Sequence, residues 1–166
     1  GFGAAAGPAP VRSRVTGAEQ YVREMEELRA TVEKDHPADE VWLGVAPDSL
    51  ATVPLEALKT IAAYARAQRL RLHVHVATTA EENVACLAEY GRTPIALLAE
   101  HGLVDKRFTA VDAIHVSDDE VKSLGNARAA VCVCPISEQN LGLAVAPAER
   151  LLAAGAGLAL GSDTNT

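Results

Sequence analysis

Residues 70–90 read LRLHVHVATTAEENVACLAEY. This stretch decides the fold because it changes periodicity with no hairpin turn in between. From Leu70 to Ala77 the composition is that of a buried strand, rich in Val and Leu. Thr79 and Glu82 then stand three residues apart, the spacing of a capping box, and open a helix that runs to Tyr90. A strand that feeds straight into a helix is half of a crossover unit, and parallel strands need such crossovers.

The same alternation extends in both directions. Downstream, a helix is predicted over Pro94 to His101 and a strand over 110–116. Ser117 and Glu120 cap a further helix, followed by a strand over 129–134, a Pro-containing loop, a helix at about Ala148 to Ala154 and a last strand over 157–161. Upstream, Pro54 suits the first turn of a helix reaching Gln68. VWLGVAP (41–47) reads as a strand, and HPAD (36–39) as a turn. Thr16 and Glu19 have capping-box spacing ahead of a helix to Lys34, with Tyr21, Met25, Leu28 and Val32 as its buried stripe. Residues 1–15 are rich in Gly, Ala and Pro and read as loop.

Five strands separated by helices imply an α/β fold with a parallel sheet and crossover helices. Two architectures remain open at this point, a doubly wound sheet and part of a (β/α)8 barrel. A full barrel takes roughly 250 residues, so 166 residues supply about five of eight units. The chain is expected to form a single domain. It opens GFGAAAGPAP and stops at GSDTNT directly after an apolar run. Both ends are expected to be cuts in a longer gene.

The polar residues fall where chemistry collects in such folds. His75, His115 and Asp163 each sit at the C-terminal end of a predicted strand. Imidazole and carboxylate together suit zinc or another first-row metal. His73 shares a strand face with His75, two residues away, and is read as a core histidine. Cys132 and Cys134 in VCVC (131–134) lack two further ligands at matched spacing and are read as core residues. His36 and His101 are expected in solvent. Glu81 and Glu82 are read as charge at the start of a helix.

Composition excludes several classes. Apolar residues make up 49% and charged residues 22%, which is a folded rather than a disordered balance. The net charge of -7 leaves no basic face for phosphates, so no nucleic-acid partner is expected. No apolar stretch is long enough to cross a membrane. Three cysteines fit a reducing compartment, and the expected location is the cytoplasm.

Five segments, in order, carry a family resemblance: LGVAPDSLATV (43–53), LHVHVATTAEE (72–82), AIHVS (113–117), CPISEQNLG (134–142) and GSDTNT (161–166). Together they resemble strands four to eight of the metal-dependent deaminases of the amidohydrolase superfamily, and most closely the N-formimino-L-glutamate deiminases. The resemblance implies a partial (β/α)8 TIM barrel. It implies one divalent metal, zinc or iron, held by His75 and Asp163, with His115 at the substrate or the reacting water. Asp163 would also take a proton from that water. Glu138 and Asn140 would shape the pocket of a small-molecule substrate. The reaction implied is hydrolytic release of ammonia from an amidine or ring C–N carbon, and a full-length parent is expected to be a homodimer.

The chain also departs from the pattern. The family's proton-shuttling glutamate falls on Thr78, the histidine of its APHSL segment on Asp48, and its substrate-gripping arginine on Ala51. The first-strand HxH pair has no counterpart. A segment that is inactive by itself is therefore expected. The alternative is a degenerate, non-catalytic homologue that keeps the scaffold or binds a ligand.

Overall fold

Runs of branched apolar residues pair into a ladder wherever helices cover them. The computed structural model describes residues 17–37 and 39–163. Its elements are α1 (Ala18–Asp35), β1 (Gly44–Val45), α2 (Leu55–Ala67), β2 (Arg71–Val76), α3 (Ala80–Tyr90), α4 (Pro94–Glu100), β3 (Phe108–Asp112), α5 (Asp118–Asn126), β4 (Ala130–Val133), α6 (Pro135–Asn140), α7 (Ala148–Ala153) and β5 (Gly157–Leu160). The strands form one sheet in sequential order, and every pairing is parallel. An order without a switch point excludes the doubly wound sheet and is that of a partial (β/α)8 barrel.

Period-two alternation divides the faces of β2. Leu72, Val74 and Val76 are buried, whereas His73 and His75 are half-buried. α2 packs on β1 and β2 and buries Leu55, Leu58, Ile61, Tyr64 and Ala65. Phe108 is the largest of the fully enclosed core side chains, and burying it contributes about 1.5–3 kcal/mol. Two helix starts bear out the capping residues. Thr79 Oγ1 accepts from Glu82 N at 3.1 Å. Ser117 and Glu120 form a complete reciprocal box. Buried Glu120 also accepts from Thr93 Oγ1 at 2.5 Å, joining the starts of α4 and α5.

The structure corrects four expectations. The strand expected over 41–47 shrinks to Gly44–Val45, because only these residues find partners, Arg71 and Leu72. Ala46 N turns instead to the Tyr21 hydroxyl at 3.1 Å. The strand expected over 110–116 lies two residues earlier at its start and ends at Asp112. Its ladder to β2 begins at Phe108, and left-handed backbone at Asp112 (φ 71) and Ala113 (φ 49) stops it. The loop expected after Cys134 is the short helix α6, with Pro135 in its first turn. Leu28, expected in the buried stripe of α1, is 47% exposed, and Met25 is the residue of that helix that is buried. The expected loop over 1–15 and Thr16 of the first capping box lie outside the described residues, and Gly17 is the N-cap of α1. Among the described residues, no helix is long and apolar enough to cross a membrane.

α5 and α7 approach closely at Gly125. A Cβ there would lie 2.1 Å from the Ala154 carbonyl oxygen. Backbone is on the other side of that contact, so one of the helices must shift. Gly125→Ala is expected to lower stability by about 1–3 kcal/mol, the usual cost of overpacking. Urea unfolding of the variant against the parent chain measures it, and an unchanged midpoint would show that the approach is loose.

Candidate active site

The parallel ladder fixes the rim. His75 pairs in register with Val111, and Val76 with Asp112. Alternation alone would put the Asp112 side chain on the same face as Val76, away from His75. The left-handed turn at Asp112 breaks that alternation. Its carboxylate Oδ2 lies 3.1 Å from His75 Nδ1 and accepts from Thr78 Oγ1 at 2.7 Å. Non-glycine residues in this backbone region cost roughly 1–3 kcal/mol each and gather at functional sites.

Across the rim, His75 Nε2 lies 3.9 Å from Asp163 Oδ1, and Ser137 Oγ donates to Asp163 Oδ2 at 2.6 Å. His75 sits on β2 and Asp163 follows β5, three strand spacings away. On a flat sheet that separation would be roughly 14 Å. The observed contact therefore shows a strongly curled sheet. The hydrogen bond to Asp112 holds the His75 ring above its ordinary pKa against the opposing effect of burial, with the charges of Asp112, Asp163 and Asp48 adding to it. Burial, and then the Arg71 charge, push His73 below the usual value.

The expected site residues divide. His75 and Asp163 meet at the rim. His115 lies three residues beyond the end of β3. It is tied by its backbone, its N donating to Ala77 O at 2.8 Å and its O accepting from Asn83 Nδ2 at 2.7 Å. Glu138, expected to shape a substrate pocket, is buried, because its carboxylate accepts from Cys134 N at 2.8 Å across the first turn of α6. Asn140 is exposed at the end of that helix. His73, read as core, lines a cavity of about 320 Å³ together with Ala46, Pro47, Asp48, His75 and Val111. A larger cavity of about 570 Å³ lies at the opposite end of β2, beside Trp42, Arg69 and Arg71, and contains none of the strand-end residues.

Sequence reasoning missed Asp112 and Ser137. The signal for Asp112 was present: a carboxylate inside an otherwise apolar strand must find partners. Cys134 is buried and Cys132 half-buried. Burial, reinforced by Cys132 and the two aspartates, pushes the Cys134 thiol up to about 12. Both sulfurs face Gly161, where a Cβ would lie 2.8 and 2.9 Å from them. His36 and His101 are exposed, as expected.

An imidazole nitrogen and a carboxylate oxygen are donors that zinc accepts, and two ligands on a tetrahedral zinc sit roughly 3.4 Å apart. His75 Nε2 and Asp163 Oδ1 fit that requirement in type and nearly in distance. Their number falls short, since among the described residues no group of three or more His, Cys, Asp or Glu is placed to hold a metal ion.

Residues 4–166 match the Amidohydrolase family, and the chain belongs to it. It is 33% identical over 165 residues to a formimidoylglutamate deiminase of Pseudomonas aeruginosa, covering 99% of this chain and 35% of that protein. It is 31% identical over 157 residues to an 8-oxoguanine deaminase of the same organism, covering 95% and 35%. Its fold matches the crystal structure of an adenosine deaminase from Xanthomonas campestris with bound zinc. That match has a TM-score of 0.79 at 28% identity and covers 87% of this chain and 32% of the other. The chain thus spans about a third of the length of the relatives it matches.

Glu82 supplies a pH test of the helix that follows the rim. Its Oε2 accepts from Thr78 N at 2.9 Å, while buried Oε1 has no partner among the described residues. Burial raises its pKa, so folding favours the protonated form. That contribution is present below the unfolded pKa and is lost as pH rises through the folded one. Glu82→Gln is expected to melt higher than the parent chain at pH 7. The gap should close near about pH 4, where the parent carboxyl is also neutral. A gap that grows on acidification would contradict the assignment.

Proposed function

We propose that this chain is the C-terminal half-barrel of a metal-dependent hydrolase that releases ammonia from an amidine or ring C–N carbon. The observation that carries this is the approach of His75 Nε2 to Asp163 Oδ1 across three strand spacings, at the rim where barrel enzymes place their chemistry. The family relatives support the reaction class, and the formimidoylglutamate deiminase makes formiminoglutamate the first substrate to test. His75 and Asp163 are the residues to hold the ion, zinc or iron. A bound divalent metal lowers the pKa of its water toward neutrality. Asp163, whose Oδ2 accepts from Ser137, would also take the proton from such a water. His115 is assigned to the substrate or the reacting water, and Asn140, with Glu138 behind it on Cys134 N, to the pocket of a small-molecule substrate.

A second reading, a non-catalytic scaffold, draws on Thr78. The resemblance puts a proton-shuttling glutamate at that position, and the Thr78 hydroxyl donates to Asp112. A hydroxyl does not exchange protons near neutral pH as a carboxylate does. The two readings part in a protein that joins this segment to the remaining strands: ammonia release favours the first, and bound zinc without turnover favours the second.

Two outcomes are expected from the chain itself. With added zinc it releases no ammonia from formiminoglutamate above a metal-free control. Its zinc affinity is weak, and the His75→Ala, Asp163→Ala double variant loses at least roughly tenfold of it, since even outer-sphere partners of a metal site are worth roughly 10–100-fold. Calorimetric titration reads this, and equal binding by both proteins would remove these residues from the site.

A further inference from the structure

His75 can donate through only one ring nitrogen when neutral, and which one decides what the rim presents. Nδ1 faces Asp112 Oδ2 at 3.1 Å, and Nε2 faces the rim and Asp163. Asp112 is almost fully buried, with a side chain 7% exposed. Ionised carboxylates only accept, and the nitrogen beside Asp112 must therefore carry the proton. Thr78 Oγ1 donates to the same oxygen at 2.7 Å, which fixes the carboxylate from a second side. The positive φ at Asp112 turns its side chain out of the strand alternation and toward His75.

We infer that Asp112, braced by Thr78, is a positioning residue that locks His75 as its Nδ1–H tautomer, with the Nε2 lone pair aimed at the rim. The residue that stands where the family resemblance puts a glutamate thus acts through Asp112 rather than on a substrate. A carboxylate behind a histidine fixes both ring orientation and tautomer and raises the basicity of the outward nitrogen. The inference rests on the proposed rim only for what His75 faces, and it is testable with no metal present.

The experiment is long-range proton–nitrogen correlation on the nitrogen-15-labelled full chain at alkaline pH, where the ring is neutral. His75→Gln assigns the His75 signals among the five histidines. The expected result is Nδ1–H in the parent chain and in Asp112→Asn, which retains an acceptor, with a switch to Nε2–H as the major tautomer in Asp112→Ala. Thr78→Val should keep the tautomer. An Nε2–H tautomer in the parent chain overturns the inference, whether or not the variants fold. So does an unchanged tautomer in a folded Asp112→Ala. Zinc titration of the same samples separates this from the proposed function. An Nδ1–H ring in a chain that binds no zinc upholds the positioning role and removes the zinc affinity expected of this chain. Where zinc does bind, Asp112→Ala should weaken it roughly 10–100-fold and Asp112→Asn less.

Discussion

The ladder between β2 and β3 sets His75 beside Asp112, the pair around which the near rim is built. Because the strands are parallel and in register, His75 and the end of β3 arrive side by side whatever the loops do. The ladder then has to stop, and it stops through backbone that non-glycine residues adopt reluctantly, at Ala77, Asp112 and Ala113. Asp163, at the far rim, has the same positive φ. The buried faces of the strands and the helices packed on them hold these turns in place. Stability in the core thus supports strained geometry at the rim.

Much of the fold was legible because its signals are local. Capping spacing at Thr79 and Ser117 located two helix starts to the residue, since the side chain and the amide it serves lie within one turn. Strand ends were less legible. Ala110 to Val116 reads as one apolar run apart from Asp112 and His115, yet pairing stops at Asp112, and that stop depends on a backbone turn that apolar count does not encode. β1 was overestimated for a related reason. Val41 and Trp42 have strand composition, but a strand exists only where a partner lies alongside.

The site was legible in its outline and illegible in its wiring. His75 and Asp163 are conspicuous as polar residues at the ends of apolar strands, and the structure brings them to 3.9 Å. His115 was placed at a strand end by the same logic, and the earlier end of β3 moved it into the loop. Glu138 shows the limit of reasoning from residue type. A carboxylate three residues into a helix is as well suited to hold that helix's first amides as to meet a ligand, and here it holds Cys134 N. Asp112, which connects two of the expected positions, stood in plain view and was counted as part of a strand.

Gly161 has a consequence for how this sequence can change. Its missing side chain leaves the space that the sulfurs of Cys132 and Cys134 occupy. A side chain at 161 would meet both sulfurs, so it can enter only where the two thiols turn aside or give way to smaller groups. The three meet where two neighbouring strands end, and the constraint on 161 is set by what stands at 132 and 134.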